Sequence, residues 1–311
     1  MRIWFHLLLL CTTVMAFSLG SGEPAAGTES PQMIVIETDE FSFTAVERGG
    51  QSDEPVILLH GFPETSYMWN RMQELLERNG FYSLAPDQRG YSPRARPSGR
   101  SAYGIEALAG DVIALADSKG IARFHLVGHD WGAAVAWYVA ARYPDRIRSL
   151  TALSVPHLEA FRIALTTDPL QHEASSYMRL FRWPLLPELF LKARKFRNLK
   201  AIWEQSSEDE INRYLSVFSQ RGAVTAALNW YRANYASLTG SAATIGPVAV
   251  PTLFVWGTRD PAILRSGAEL NRNYVTGTYS EFFIDSGHWL MQESFVPVST
   301  RILEHLSAQS D

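Results

Sequence analysis

The mostly apolar run Phe124–Gly128 passes without a spacer into a helical pattern, Gly132–Arg142, across Gly128-His129-Asp130-Trp131-Gly132. A run with little polar alternation reads as a strand covered on both faces, as in a parallel sheet between layers of helices. A strand that turns straight into a helix needs glycine where the two backbones approach. The side chain between the glycines, Asp130, is then pushed out above the sheet.

The same alternation recurs on both sides of this junction. Met33–Ile36 and Phe41–Val46 read as an opening hairpin or strand pair, and Val56–Leu59, Tyr82–Pro86 and Ser149–Val155 as further strands. Between them, Tyr67–Arg78 carries Met68, Met72, Leu75 and Leu76 at helical spacing and stops at Asn79-Gly80, and Ile105–Lys119 stops at Gly120. From Pro156 to about Thr244 the pattern is mainly helical and rich in Trp, Tyr, Phe and Arg. Strands return at Thr252–Trp256 and Glu281–Ile284, with a closing helix at Val298–Leu306. The expected fold class is α/β: a mostly parallel sheet with helices on both faces, its core in 32–155 and 245–311 and a helical lid inserted at 156–244. The chain of 311 residues, 46% hydrophobic and 19% charged, has apolar surface enough for such a core, which excludes a disordered or coiled-coil chain. A net charge of -4 gives no reason to expect a nucleic-acid partner.

The chemistry sits where strands end. Gly128-His129-Asp130-Trp131-Gly132 has the form of a nucleophile elbow, with aspartate in place of the serine that ester hydrolases use. Asp130 is the expected nucleophile, since capping of the next helix would not require glycine on both sides. His60-Gly61-Phe62-Pro63 follows another strand, and the backbone N–H groups of Phe62 and Trp131 are placed to form an oxyanion hole. Asp260, in Trp256-Gly257-Thr258-Arg259-Asp260, and His288, in Gly287-His288-Trp289, end two later strands. The order nucleophile, acid, histidine is that of a triad on this kind of sheet, with Asp260 orienting the His288 general base. His60, His125 and His129 read as structural, and Arg94, Arg96 and Arg100 as a solvated basic loop. No phosphate loop or cluster of metal ligands appears, so no cofactor and no metal is expected.

With these motifs the stretch from Gln32 to Leu306 resembles the α/β-hydrolases of the epoxide hydrolase and haloalkane dehalogenase branch. His60-Gly61-Phe62-Pro63, Asp87-Gln88-Arg89-Gly90, Gly128-His129-Asp130-Trp131-Gly132-Ala133, Trp256-Gly257-Thr258-Arg259-Asp260 and Gly287-His288-Trp289 carry the resemblance. It implies a catalytic triad of Asp130, Asp260 and His288. It also implies lid proton donors at Tyr177 and Tyr231, whose surroundings resemble those of the two lid tyrosines of epoxide hydrolases. Phe62, Trp131, Trp289 and His157 are the expected substrate-binding residues. The sequence departs from the pattern at Ser92 and Ser294, both expected near the rim, where they bear on substrate shape.

An aspartate nucleophile favours attack at saturated carbon, because attack on an ester would give a mixed anhydride. The expected partners are a small apolar epoxide and water, with hydrolysis to a vicinal diol through an ester on Asp130. The alternatives are a dehalogenase with the same triad and a non-catalytic binding protein of the same fold. Dehalogenases of this branch usually carry a polar residue where Phe62 stands. No oligomeric state follows from the sequence.

The first residues read as a secretory signal: Arg2, an apolar stretch from Leu7 to Phe17, then small and polar residues to Gly22. Spanning a bilayer takes about 20 apolar residues, so no stable membrane span is expected once the segment 1–22 is removed. Leucine before Cys11 does not suit a lipoprotein signal, and Cys11 is the only cysteine. A secreted or periplasmic protein follows as the expectation. The mature chain should begin between Phe17 and Glu23, which intact-mass measurement of protein from its native host checks; soluble cytosolic protein retaining Met1-Arg2 would refute it.

Overall fold

The structure, a computed structural model, describes residues 32–240 and 245–310. The expected signal segment lies outside them. Eight strands form one sheet: β1 (Gln32–Glu37), β2 (Ser42–Arg48), β3 (Glu54–Leu59), β4 (Phe81–Pro86), β5 (Phe124–His129), β6 (Ile147–Leu153), β7 (Thr252–Gly257) and β8 (Tyr279–Ile284). Their order is β1-β2-β4-β3-β5-β6-β7-β8. The opening hairpin pairs antiparallel within itself and with β4, and the remaining pairs are parallel. Two-faced burial is visible in β4, β5 and β7, whose residues are buried throughout.

Parallel neighbours need crossovers, and helices supply them. Helices α1 (Asn70–Arg78), α2 (Ile105–Ser118) and α3 (Trp131–Arg142) connect the strands from β3 to β6. The expected helix at Tyr67 begins instead as a 3-10 turn, Ser66–Trp69. There the Thr65 hydroxyl accepts from the Tyr67 N–H and Asp87 accepts from the Ser66 N–H, so local side chains take the first donors. From β3 the chain moves outward to β4 and then returns to the opposite side of β3 as β5. The switch point thus falls between β3 and β5, where ligands bind in sheets of this type.

Between β6 and β7 six helices follow one another: α4 (Leu158–Thr167), α5 (Pro169–Ala174), α6 (Tyr177–Phe181), α7 (Leu186–Ile202), α8 (Glu208–Phe218) and α9 (Ala223–Thr239). Three short or late helices complete the chain, α10 (Arg265–Leu270), α11 (Leu290–Glu293) and α12 (Phe295–Ser307). The sequence reading missed α10 and α11, which are too short to show a helical period. Helix α9 is tied to the core where the Trp230 indole N–H donates to the Arg89 carbonyl at 2.9 Å.

Arg96 departs from expectation. It is half-buried and donates to the carbonyls of Gly90, Tyr91 and Arg221, bridging the turn after β4 to the segment before α9. Its neighbours Arg94 and Arg100 are exposed. Ser92 is fully buried rather than near a rim: its hydroxyl donates to the Asp87 carbonyl and accepts from the Thr44 N–H. Ser294 sits at the start of α12, donating to Ser286 Oγ.

The turn after β4 is held by Arg89, which grips Asp111 of α2 through two bonds of 2.7 and 2.6 Å, both side chains nearly buried. Removing one partner of such a pair strands a buried charge, whereas removing both does not. Arg89→Met should therefore lower stability by about 3–5 kcal/mol in denaturant titrations, and Arg89→Met with Asp111→Leu by much less. Equal losses in the two variants would show that packing, not charge, sets the cost.

Candidate active site

Asp130 occupies the single residue between β5 and α3, with φ 51° and ψ −120°. A non-glycine residue there costs about 1–3 kcal/mol, offset only where the surroundings fix the turn. The fixing contact is the approach of α3 to β3: a Cβ on Gly132 would lie 2.1 Å from the Leu59 carbonyl oxygen. Gly61 meets the same crowding from the other side, since a Cβ there would lie 2.6 Å from Asp130 Oδ1. Both positions accept only glycine, and the carboxylate is held in the gap they leave.

Around that carboxylate the expected residues converge. The Phe62 N–H donates to Asp130 Oδ1 at 2.7 Å. His288 Nε2 lies 3.6 Å from Asp130 Oδ2, and His288 Nδ1 lies 2.6 Å from Asp260 Oδ2. The other oxygen of Asp260 accepts from the amides of Ala262 and Ile263. All three side chains are buried. No hydrogen bond from the Trp131 amide to Asp130 occurs among the described residues. An oxyanion hole is built for the tetrahedral oxygen, which lies out of the carboxylate plane, so the resting carboxylate does not have to engage both donors.

The charges lock together. Burial on its own would lower the His288 pKa, but the charges of Asp260 and Asp130 and the hydrogen bond to Asp260 push it well above the ordinary imidazole value. Burial likewise opposes ionisation of Asp130, yet hydrogen bonding and charge from His288, with smaller help from His129 and the Phe62 N–H, hold its carboxyl below the usual range. Both shifts favour charge on the imidazole and on the Asp130 carboxyl.

Tyr177 of α6 and Tyr231 of α9 both line the cavity above Asp130. Burial and the nearby carboxylates push the Tyr177 phenol far up, and burial does the same to Tyr231. Both remain protonated donors at any neutral pH. The Trp131 ring stands edge-on to Tyr231 at 5.0 Å, and the Tyr177 ring stands edge-on to Tyr231 at 6.1 Å. The cavity is narrow, about 30 Å³. Trp131, an expected substrate contact, lines it too, and Ala134, Val155, Leu158, Phe161, Met178, Leu238 and Ile263 complete the wall.

Two expected substrate contacts lie elsewhere. His157 is the N-cap of α4: its Nδ1 accepts from the Glu159 N–H, its Nε2 faces the Gly246 carbonyl, and its ring stacks on Tyr274. Burial pushes its pKa down to about 4, which keeps the ring neutral in that role. Trp289 stands edge-on to His288 at 4.9 Å and packs on His129, shielding the histidine rather than lining the cavity. Phe62 contributes its amide, while its ring packs against Phe181, Phe218 and Tyr231.

The sequence reading passed over Glu64, a fully buried carboxylate after the Phe62-Pro63 turn. It faces His129 Nδ1 at 3.1 Å and accepts from Gln292 at 2.7 Å and from Tyr214 of α8. His129 in turn reaches the His288 carbonyl through Nε2, and Ser154 donates to the same oxygen. His129 is thus structural, and what it supports is the backbone of His288. Among the described residues no group of three His, Cys, Asp or Glu side chains is placed to hold a metal ion.

An aspartate elbow after β5, an acid after β7 and a histidine after β8 define a hydrolase of the α/β type. Residues 54–294 match the α/β hydrolase fold family, and the chain belongs to it. It is 34% identical over 276 residues to the AB hydrolase superfamily protein YfhM of Bacillus subtilis, covering 85% of this chain and 94% of that one. It is 31% identical to epoxide hydrolase A of Mycobacterium tuberculosis, covering 89% of this chain and 98% of the relative. Among solved structures, epoxide hydrolase A of Mycobacterium thermoresistibile superposes with a TM-score of 0.74 at 29% identity, covering 89% of this chain and 98% of that one.

The doubly paired imidazolium gives a signed pH dependence. A histidine whose folded pKa exceeds its unfolded value of about 6.5 adds stability that is complete below that value and fades as pH rises through the folded pKa. Stability should therefore fall on the alkaline side of neutrality, and Asp130→Asn, which removes one charge, should flatten that fall. Nitrogen-15 NMR of His288 in both proteins checks it: an unchanged imidazole titration in the variant would remove Asp130 as a cause.

Proposed function

We propose that the protein hydrolyses epoxides to vicinal diols through a covalent ester on Asp130. One observation carries the reading: a buried carboxylate nucleophile faces two protonated tyrosines across an apolar cavity. Its curated and structural relatives named as epoxide hydrolases support the same substrate class. Asp130 attacks a ring carbon, the C–O bond breaks, and the released oxygen takes a proton from Tyr177 or Tyr231. Esterification removes the Asp130 charge, and with it one of the forces raising the His288 pKa. His288 yields a proton that restores the tyrosine and is left neutral, the form a general base requires.

Neutral His288 then deprotonates water, which adds to the Asp130 carbonyl carbon. The oxyanion forms beside the Phe62 N–H, where loss of one such donor costs about 100 to 1000-fold in other hydrolases. Collapse expels the diol alkoxide, which takes the proton back from His288. The regenerated carboxyl returns its own proton to the imidazole, and the resting charges are restored. Water and epoxide are consumed one to one, and no cofactor enters the balance.

The dehalogenase alternative has less support. It needs a side-chain donor for the departing halide beside that of Trp131, and Phe62 offers none. A binding protein without turnover would not need His288 fixed between Asp130 and Asp260. We further propose the secreted or periplasmic location read from Arg2 and the apolar stretch to Phe17.

The covalent step decides the mechanism. His288→Ala should react once with a reactive aryl epoxide and keep a substrate-sized mass at Asp130, while Asp130→Ala gains none. Wild-type protein should release diol, with little halide from haloalkanes. Intact-mass and peptide mapping read the outcome: diol formation by the His288 variant with no adduct would overturn the covalent route.

A further inference from the structure

The outer face of the lid combines apolar exposure with dense positive charge. Trp183, Leu185, Leu186 and Leu189 are exposed by 62%, 71%, 59% and 67%. They fall within seven residues, and Leu186 and Leu189 share one face of α7. Between 179 and 200 the chain carries seven Arg or Lys against one carboxylate, Glu188, although its net charge is -4. That one carboxylate is nearly buried and spent on Arg232 at 2.9 Å. Lys192, Arg194, Lys195, Arg197 and Lys200 are all exposed. Arg194, Lys195 and Phe196 have left-handed φ values of 49°, 56° and 64°, a turn that brings cations directly after the apolar face.

We infer that this face docks on the surface of an anionic phospholipid bilayer. Leucines and a tryptophan flanked by lysine and arginine match the boundary between acyl chains and headgroups, where tryptophan concentrates and cations meet lipid phosphates. A protein partner fits less well, because the centres of protein interfaces are depleted in lysine. Charge complementarity selects anionic lipid, and with a screening length of about 8 Å in physiological salt the local cations outweigh the distant negative charge of the chain. Contact is with the surface, since among the described residues no helix is long and apolar enough to cross a membrane.

The patch is firmly joined to the site. Arg232, next to Tyr231, donates to the Phe181 and Trp183 carbonyls and pairs with Glu188. A surface pocket of about 230 Å³ begins at Arg179, the first cation of the patch, and shares Met178 with the catalytic cavity. Docking would thus set the outer pocket beside the phase in which apolar molecules collect.

Flotation of the full chain with vesicles tests this without requiring turnover, so its outcome is independent of the proposed reaction. Vesicles of equal parts phosphatidylglycerol and phosphatidylcholine should bind the protein at least about tenfold more tightly than phosphatidylcholine alone, and high salt should weaken the binding. Leu186→Ser with Leu189→Ser should lose most of it, as should Arg194→Glu with Lys195→Glu, with melting temperature and activity on a water-soluble substrate unchanged. All chains share the apolar stretch from Leu7 to Phe17, so differences between them report the lid alone. Equal flotation of wild type and both variants would overturn the proposal. So would a concentration-dependent dimer in light scattering that the leucine variant abolishes, which assigns the face to a second copy.

Discussion

The approach of α3 to β3 is the contact on which the site depends. Gly132 lies so close to Leu59 that no side chain fits between them, and this closeness forces the chain through the positive φ of Asp130. The strain at Asp130 is held by backbone rather than by the reacting groups, so the carboxylate keeps its place as charges come and go. The switch point between β3 and β5 brings the Phe62 amide to the same spot. Fold and chemistry meet in one crossing of two backbones.

A second economy lies in how charge is shared. His288 sits between two carboxylates, but only Asp130 loses its charge in the proposed cycle; Asp260 is fixed by two backbone amides and keeps its own. The imidazole is therefore held by one constant and one variable neighbour. In that proposed cycle its basicity follows the charge of Asp130, and the proton moves when the ester forms and not before. Glu64, His129 and Ser154 hold the His288 backbone from behind and leave the ring alone to respond.

Much of this was legible in the sequence, for physical reasons. Strands buried on both faces announce themselves as apolar runs, and glycines at a strand end mark close backbone approach, so β3, β5, β7 and the elbow could be read directly. Asp130, Asp260 and His288 followed because each ends a strand in the required order. His157 and Trp289 misled, since a strand end gives the position of a residue but not the direction of its side chain. The lining by Phe161, Met178 and Leu238 left no trace, because apolar residues on lid helices look alike whether they face a cavity or a core. Glu64 was hidden for the opposite reason: a lone carboxylate in a loop reads as solvated until three partners close over it. Arg96 was misjudged in the same way, its guanidinium spent on backbone carbonyls.

The narrowness of the catalytic cavity has a consequence of its own. About 30 Å³ holds one or two waters, so every epoxide enters by displacing wall atoms. Most of that wall is branched or aromatic and stiff, whereas Met178 is unbranched and yields by rotating its own bonds. Deformability is therefore concentrated at one side, the side toward the outer pocket. Such a chamber sorts molecules by cross-section more than by length, because width at the methionine decides what passes.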